Sequence, residues 1–487
     1  MNARQPATGQ QVEQAQRFCE DPASFFDYSY TAMHSLRRQE LEDLQLAALR
    51  YRFEHLYASV PMVKKLADRQ GLAGLDTALD KLDDVVPMLF EHTMYKSYPP
   101  SILEKGQFEK LTTWLDKLTA HDLSGLDVSS CQGVTDWIRL LERETPLRVN
   151  HSSGTSGVMS FNPMSREEYH VFGRTSPLVF FQEFGDPPAT EDSFIPNVHL
   201  VNPTYRRGAN AFIRGTDMYA VYIAGGEERV HSLYPGRLDS DVLYLAARLR
   251  AAKAKGSLDS IDINPALLER QRVFEAQQAR MPQDMEIFFE RLMTELAGQR
   301  VFILCTWNMI YDLAKVALDR GIRQVFAPDS VVVSGGGAKG MTRPPDWQEP
   351  VLEFTGVPRL KGGYGMSETL ANHVMCRHGN YHVAPWVIPF VLDPDTSKPL
   401  PRQGVVTGRA AFYDLIASSH WGGFITGDEI TLHWDGDCPC GQRSVYLEDK
   451  INRYSEKRGG DDKISCAATP EAHQEAMDFL TRFDKAR

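Results

Sequence analysis

The sequence has few cysteines, no long apolar run and no secretory signal. Its 7 cysteines among 487 residues are odd in number and sparse, unlike the dense and even disulfide framework of small secreted domains. No apolar run reaches the ~18 residues that a membrane-spanning helix needs, and the first residues lack the apolar stretch of a secretory signal. These absences predict a cytoplasmic protein with mostly reduced thiols and no membrane span.

The sequence also lacks an excess of positive charge. It contains 53 lysines and arginines against 64 aspartates and glutamates, which gives a net charge of -11. This bulk charge offers no attraction for the phosphates of nucleic acids or for an anionic membrane. We therefore expect no nucleic-acid partner. With 42% hydrophobic and 24% charged residues, the composition is that of a globular protein with enough apolar material for a core.

The chain is too long for one small compact core, so we expect more than one lobe. Residues 12–71 predict a helical opening, because leucines and phenylalanines recur there near the helical period. Further along, short apolar runs such as 197–201 and 218–223 are bounded by Pro, Gly or Asn and predict strands. Strands and helices are thus expected to alternate.

The clearest unit is a helix between two short apolar runs. Val301–Cys305 is the first run, apolar residues then recur at helical spacing as far as Gly321, and Val331–Val333 is the second run. This order is typical of a βαβ unit and therefore of a parallel sheet. We predict an α/β fold in which parallel or mixed sheets pack against helices.

A change in composition suggests where the chain divides. After about residue 422 the sequence becomes richer in glycine, aspartate and cysteine. We place a boundary near residue 430. The predicted units are a large N-terminal domain over residues 1–430, which binds the ligands, and a short C-terminal lobe or tail over residues 431–487.

A loop rich in glycine and small hydroxyl residues lies between Leu147–Val149, a predicted strand, and a helix that begins with the capping box Ser165–Glu168. Its glycines let the backbone approach a ligand, and its N–H and hydroxyl groups can donate to phosphate oxygens. The Gly-Lys-Ser/Thr ending of a Walker loop is missing, and a flexible surface turn is the alternative interpretation. His151 beside it is either a contact to phosphate or substrate, or a polar loop histidine without such a role. The candidate phosphate-binding residues are Ser152, Ser153, Gly154, Thr155, Ser156 and Gly157.

Three further motifs combine glycines with polar or aromatic side chains. The run Val331–Val333 leads into Ser334–Gly336 at the carboxyl end of a predicted strand, where open α/β sheets bind their ligands. Tyr364, whose ring suits stacking on a base, comes shortly before Glu368, whose carboxylate suits Mg²⁺. Asp428 follows a tight glycine turn and suits the hydroxyls of a ribose.

The order and separation of these four motifs resemble those of the adenylate-forming (ANL) superfamily of acyl-CoA synthetases, adenylation domains and luciferases. The resemblance covers most of residues 40–470. The helical start Leu44–Pro61 and the segment Cys438–Gly441 are similar to those of phenylacetate-CoA ligases. The segment Gly459–Cys466 is similar to the acyl-protein synthetases that activate fatty acids for a reductase in bacterial bioluminescence. The resemblance implies a large adenylate-forming domain, and the short segment after Asp428 predicts a truncated C-terminal lobe in place of the family's full lid.

The resemblance also implies a role for each motif in binding ATP and Mg²⁺. The loop 152–157 would surround the β- and γ-phosphates. Glu368 would hold Mg²⁺ and so act in catalysis, and Asp428 would hold the ribose hydroxyls. Arg453, in the place of the family's hinge-side arginine, would contact ribose or phosphate, with Arg443 as the second choice. The other implied nucleotide contacts are Ser334, Gly335, Gly336, Tyr364, Gly365, Met366 and Ser367.

The sequence departs from the family pattern in its positive charges. The phosphate loop continues as Val158-Met159-Ser160, without the usual lysine. The segment after Asp428 is short, and no lysine in it has the context of the family's lid lysine. Lys463 and Lys485 are candidates for that role by position alone.

Cysteines and histidines of two separate segments suggest a zinc site, since thiolates and imidazoles are the ligands that zinc prefers. Cys438 and Cys440 stand in a C-x-C spacing, which is a weaker signal than C-x₂-C, so a reduced structural turn is the alternative. The residues considered are Cys376, Cys438 and Cys440, together with His378 or His382.

The implied activity is the ATP-dependent activation of a carboxylic acid, with a fatty acid as the expected substrate, and transfer of the acyl group to a thiol. The thiol could belong to CoA, to a carrier protein or reductase, or to Cys466 of the chain itself. Cys466 is the second candidate catalytic residue because a glycine pair, Gly459-Gly460, precedes it; a small buried cysteine is the alternative. A non-catalytic nucleotide-binding scaffold and a ligase with an amine acceptor also remain open.

Overall fold

The computed structural model describes residues 9–72, 79–152, 158–185, 194–256, 267–268, 270–336 and 342–454. These residues form two main sheets with helices packed around them. The predicted α/β fold class, with parallel and mixed sheets, is confirmed. No described helix has both the length and the apolar character needed to cross a membrane.

The segment predicted as a helical opening contains four helices separated by turns. Proline begins two of them, at Pro22 and Pro61, since the first helical position has no need of the N–H that proline lacks. The long third helix buries Leu49, Phe53 and Leu56 on its inner face. The four helices are α1 (Gly9–Glu20), α2 (Pro22–Phe25), α3 (Arg38–Ser59) and α4 (Pro61–Arg69).

The later helices include the one predicted from its capping box. Ser165 accepts a hydrogen bond from the Glu168 backbone, and the Glu168 carboxylate accepts one from Ser165 N at 2.6 Å, so the prediction is confirmed. The later helices are α5 (Ser101–Glu104), α6 (Phe108–Asp116), α7 (Val134–Glu144), α8 (Arg166–Phe180), α9 (Ala211–Tyr222), α10 (Ser240–Lys255), α11 (Gln271–Thr294), α12 (Trp307–Asp319) and α13 (Gln348–Thr355).

The strands differ from two of the predictions. Leu147–Val149 precedes the strand that leads to the phosphate loop instead of forming it. Residues 218–223 end helix α9, because a short apolar run is equally compatible with a buried helix. The strands are β1 (Phe90–Glu91), β2 (Asn150–His151), β3 (Phe161–Asn162), β4 (His199–Gly208), β5 (Val230–Leu238), β6 (Val301–Thr306), β7 (Val331–Gly335), β8 (Lys361–Gly365), β9 (Asn372–Val374), β10 (Tyr381–His382), β11 (Val387–Leu392), β12 (Val405–Asp414), β13 (Gly423–His433), β14 (Tyr446–Leu447) and β15 (Asn452–Arg453).

The first sheet has six strands in the order β5-β4-β6-β7-β8-β9. All neighbours in it are parallel except β8 and β9. The predicted βαβ unit is confirmed as β6, α12 and β7, and the register pairs Phe302 with Val331 and Thr306 with Gly335. Because the strands are parallel, β6, β7 and β8 present their carboxyl ends at the same edge of the sheet.

The second sheet is mainly antiparallel, with the order β10-β14-β13-β12-β11. Strand β13 also pairs with β1 and β15. Residue 430 lies inside β13. Most of the predicted C-terminal lobe lies outside the described residues, so the division into residues 1–430 and 431–487 stays a prediction.

Aromatic side chains fill the core between these elements. Trp137, Trp386 and Trp421 are almost fully buried. Phe172, Phe180 and Phe181 are buried as well. Their neighbour Phe184 is 43% exposed and lies under the cationic groups of Arg300 and Lys361.

Candidate functional site

The carboxyl ends of β7 and β8 bring two of the predicted motifs side by side. Ser334 pairs with Gly362, and Gly335 pairs with Gly363. A Cβ atom on Gly335 would lie 2.8 Å from the Gly363 carbonyl oxygen, so this close approach of two backbones requires glycine. Gly336 has a φ of 82°, which also favours glycine. The glycines thus leave an open backbone edge for a ligand.

Tyr364 and Asp428 join this edge to the second sheet. The Tyr364 hydroxyl donates to Asp428 Oδ2 at 2.9 Å. Strand β15 pairs Arg453 with Asp428, and Arg453 Nε lies 3.5 Å from Asp428 Oδ1. Burial, and then the charge of Asp428, raise the pKa of Tyr364 well above its usual value, so the tyrosine stays a hydrogen-bond donor. Three residues predicted to contact a nucleotide therefore form one connected group.

Asp428 lies inside strand β13 and not after the tight glycine turn that the sequence predicted, and Thr426 of the same strand holds its backbone in place. Thr426 donates its hydroxyl to Ala410 O at 2.9 Å and accepts a hydrogen bond from Asp428 N at 3.0 Å. The Asp428 side chain is only 15% exposed. An ionised carboxylate has about four acceptor positions, and its contacts with Tyr364 and Arg453 leave room for ligand hydroxyls.

Glu368 lies in the turn after β8 and is partly buried. Ser367 donates its hydroxyl to Glu368 Oε2 at 3.1 Å. Asn162 of β3 donates to Ser367 O at 2.9 Å, which attaches this turn to the β2–β3 hairpin. Burial raises the pKa of Glu368 above its usual value. A bound divalent cation would offset the energetic cost of burying the charged carboxylate, so Glu368 is suited to be a Mg²⁺ ligand.

Asp414 supports the same turn from below. Leu370 N donates to Asp414 Oδ2 at 2.7 Å, and Ile416 N donates to Asp414 Oδ1 at 2.9 Å. Burial raises the pKa of Asp414 to about 6. Asp414 is not identifiable from the sequence, because nothing in its local sequence shows that it receives a backbone N–H from the segment after Glu368.

The base of the predicted phosphate loop is a β-hairpin. Asn150 and His151 of β2 pair with Asn162 and Phe161 of β3. The Ser152 hydroxyl accepts a hydrogen bond from Ser160 N at 3.0 Å, which closes the hairpin below the loop. The other predicted loop residues lie outside the described part of the chain; they are Ser153, Gly154, Thr155, Ser156 and Gly157.

His151 is buried and has partners at both ring nitrogens. Its Nδ1 lies 2.9 Å from Ser152 O, and its Nε2 lies 2.9 Å from Ser240 Oγ. Burial lowers its pKa to about 4. Of the two interpretations left open by the sequence, a histidine that holds the hairpin fits these contacts better than one that contacts phosphate.

Glu168 was predicted from the sequence only as part of a helix cap, but its carboxylate has further partners. Oε1 accepts hydrogen bonds from Ser418 N at 2.6 Å, Ser419 N at 2.7 Å and His420 Nδ1 at 3.1 Å. Burial alone would raise the pKa of Glu168, but His420 and Ser419 lower it to about 2. The charged carboxylate therefore fastens the start of α8 to the loop after β12.

The structure brings together most of the predicted zinc ligands. The ligand atoms of Cys376, His382, Cys438 and Cys440 all lie within 4.8 Å of one another. His378 contributes its backbone N–H to Cys376 Sγ at 3.4 Å, so His382 is the histidine whose ring joins the group. Cys466, Lys463 and Lys485 lie outside the described residues, and their predicted roles stay predictions.

Two structures of 2-hydroxyisobutyryl-CoA ligase are similar to this chain. The open conformation in complex with 2-HIB-AMP and CoA has a TM-score of 0.51 at 12% identity, over 87% of this chain and 71% of the ligase chain. The postadenylation state in complex with R3-HIB-AMP has a TM-score of 0.51 at 12% identity, over 86% of this chain and 69% of the ligase chain. No protein-family model and no curated protein sequence matches the chain. The chain therefore shares the fold of these ligase structures.

Proposed function

We propose that the protein activates a carboxylic acid with ATP and transfers the acyl group to a thiol. One observation carries this proposal: Tyr364, Asp428 and Arg453, from distant parts of the chain, form a connected polar group beside the glycine-lined strand ends. Such an edge is where open α/β sheets bind nucleotides. The similar ligase structures support the same interpretation, since one holds 2-HIB-AMP and CoA and the other holds R3-HIB-AMP.

The reaction would proceed in two displacements. In the first, a carboxylate oxygen of the acid attacks the α-phosphorus of ATP, and the bond from that phosphorus to the β-phosphate bridge breaks, which releases pyrophosphate. In the second, a thiolate attacks the acyl carbon and AMP leaves, while the thiol proton passes to solvent. Both steps depend on positioning and on stabilisation of negative charge.

The residues of the site would divide these tasks. Asp428 would accept hydrogen bonds from the ribose hydroxyls, with Tyr364 and Arg453 holding the carboxylate in place. Glu368 would hold Mg²⁺, which when bound neutralises phosphate charge. Ser334, Gly335 and Gly336 would line the adenine. We propose that the remaining contacts to the nucleotide are made by Gly365, Met366, Ser367 and the loop 152–157.

For the substrates we propose a fatty acid and a thiol acceptor. We propose CoA as the first candidate for the acceptor, a carrier protein or reductase as the second, and Cys466 of the chain itself as the third. CoA comes first because one of the similar ligase structures holds it. We also propose that the chain belongs to the acyl-protein synthetase branch of the adenylate-forming superfamily.

The experiment that tests the activation step is acid-dependent exchange of pyrophosphate into ATP. A panel of aliphatic acids of increasing length and of aromatic acids identifies the substrate class. Exchange with at least one acid supports the proposal. ATP binding without exchange on any acid would instead favour a nucleotide-binding scaffold, and exchange followed by amide formation would favour an amine acceptor.

A second experiment tests Cys466 as an acyl carrier. The protein is incubated with ATP, Mg²⁺ and a labelled acid, and hydroxylamine-sensitive label is located by mass spectrometry. If Cys466 carries the acyl group, Cys466→Ala loses the label and Cys131→Ala keeps it. Full labelling of Cys466→Ala would exclude that role and leave CoA or a carrier protein as the acceptor.

A further inference from the structure

A cluster of three cysteines and one histidine lies outside the proposed nucleotide contacts. Cys376 follows β9, His382 ends β10, and Cys438 and Cys440 lie between β13 and β14. Their ligand atoms are all within 4.8 Å of one another. We propose that these four side chains hold one Zn²⁺ in a closed structural site. The proposal concerns the fold and does not depend on the proposed reaction.

The distance between two sulfurs of the cluster matches that around a tetrahedral zinc. With Zn–S bonds of about 2.3 Å, neighbouring sulfurs of a tetrahedral site lie about 3.8 Å apart. Cys376 Sγ and Cys438 Sγ are 3.8 Å apart, and Cys440 Sγ lies 3.2 Å from His382 Nε2. A disulfide would need the sulfurs at about 2.05 Å, so the two thiols are spaced for a shared ion.

Groups around the cluster orient its ligands. His382 Nδ1 lies 2.8 Å from Ser444 Oγ, which leaves Nε2 to face the sulfurs. Metal-binding histidines usually use their second ring nitrogen in this way. The contact with Ser444 thus fixes the direction in which the lone pair on His382 Nε2 points.

The sulfurs receive N–H groups from the turns that carry them. His378 N lies 3.4 Å from Cys376 Sγ, and Gln442 N lies 3.4 Å from Cys440 Sγ. The Asn380 amide donates to Cys438 Sγ at 3.3 Å. Such donors stabilise negative charge on sulfur, and zinc binds the thiolate.

The composition of the cluster favours zinc over other ions and a structural over a catalytic site. Three thiolates and one imidazole in a tetrahedral arrangement are typical of structural zinc. A catalytic zinc keeps one position open for water or substrate, whereas four protein ligands fill the coordination shell here. Cys376, His382 and Cys438 are 2–5% exposed, which also keeps solvent away from the ion.

The ion would connect two segments that are far apart in the sequence. Cys376 and Cys438 are 62 residues apart. Tyr381, next to His382, packs against the ring of Tyr364 with the ring centroids 6.4 Å apart. Zinc would thus hold together the two segments that carry its ligands. One of them packs against Tyr364, so the ion would help to position Tyr364 next to Asp428.

Metal analysis of the purified protein tests the proposal. We expect about one equivalent of zinc per chain, at least tenfold less in Cys438→Ser, and no change in Cys131→Ser, a cysteine outside the cluster. His382→Ala is expected to lose the metal while His378→Ala keeps it. Less than a tenth of an equivalent in wild-type protein refolded with zinc would overturn the proposal, as would a Cys376–Cys438 disulfide found by mass spectrometry.

A measurement on the wild-type protein covers the case in which the variants fail to fold. Zinc is exchanged for Co²⁺, whose visible absorption distinguishes tetrahedral thiolate ligation from octahedral oxygen ligation. An intense tetrahedral spectrum with sulfur-to-cobalt charge transfer is expected, and a weak octahedral spectrum would contradict the site. Neither result depends on pyrophosphate exchange, so failure of the proposed function is detected separately.

Discussion

At the scale of single residues, what each of the two carboxylates of the site can bind depends on the groups that surround it. Asp428 has a tyrosine hydroxyl and an arginine beside it, so its oxygens are held in position as hydrogen-bond acceptors. Glu368 has a serine hydroxyl and a raised pKa caused by burial. The first carboxylate is therefore suited to hydroxyl groups of a ligand, and the second to a cation.

Glu368→Gln is expected to lower acid-dependent pyrophosphate exchange by about 10²-fold or more, because the substitution removes the charge that holds the cation. The thermal midpoint should stay the same or rise, since burial already disfavours the charged form of Glu368. Exchange rates and thermal unfolding measure the two effects. Glu349→Gln, at an exposed position on α13, is the matched control, and exchange by Glu368→Gln at the control's rate would refute the assignment.

Tyr364→Phe separates the hydroxyl of Tyr364 from its ring. Loss of one hydrogen bond to a charged group is worth about 1.5 kcal/mol, which corresponds to a KM for ATP raised about tenfold. Because the ring remains, kcat should change little. Steady-state exchange over a range of ATP concentrations measures both, with Tyr311→Phe on α12 as the control. An unchanged KM would mean that the Tyr364–Asp428 hydrogen bond does not serve nucleotide binding.

At the scale of elements, the start of α8 is attached to the second sheet through one buried charge. Glu168 caps its own helix and also accepts hydrogen bonds from the backbone of Ser418 and Ser419. The helix and the loop after β12 therefore share one anchor. Removing that charge affects both elements together.

Glu168→Gln is expected to lower the free energy of unfolding by about 2 to 4 kcal/mol. The amide group of glutamine would face N–H groups that already point at the carboxylate, which leaves buried donors unsatisfied. Urea unfolding measures the change. Glu167→Gln, exposed in the same helical turn, should change stability by less than about 0.5 kcal/mol; equal effects for the two variants would contradict the anchor.

At the scale of the whole molecule, several buried histidines make stability depend on pH. Burial lowers the pKa of His151, His231 and His373 to about 4. In the unfolded chain these rings titrate near ~6.5, so the unfolded state binds more protons at lower pH. The stabilisation is complete above that value and is lost as pH falls from about 6.5 towards 4.

We therefore expect the free energy of unfolding to fall by several kcal/mol between pH 7 and pH 5, with roughly 2 kcal/mol from each such histidine. Asp414 reduces this loss of stability by about 1 kcal/mol. Its pKa is higher in the folded state than in the unfolded chain, so the folded state binds the proton more tightly as the pH falls. Urea unfolding at the two pH values measures the net effect. His231→Asn should reduce the acid loss, and a loss of the same size in that variant would exclude His231 as a contributor.

Local sequence patterns determined much of the fold. The apolar runs around α12 predicted the parallel unit of β6 and β7, and the spacing of Ser165 and Glu168 predicted the start of α8. The glycine motif at the end of β7 predicted a ligand-binding position at the carboxyl end of a strand. These features follow from interactions between residues close in sequence or from a general rule of sheet geometry.

Only the tertiary structure decided which distant groups meet. It paired Asp428 with Tyr364 across two sheets, gave Asp414 a role beneath the turn after Glu368, and turned the ring of His382 towards Cys440. Such pairings depend on strand register and on packing between layers, and a shift of one residue would point each side chain to the opposite face. The sequence by itself determined the kinds of groups available, and long-range packing determined which of them became partners.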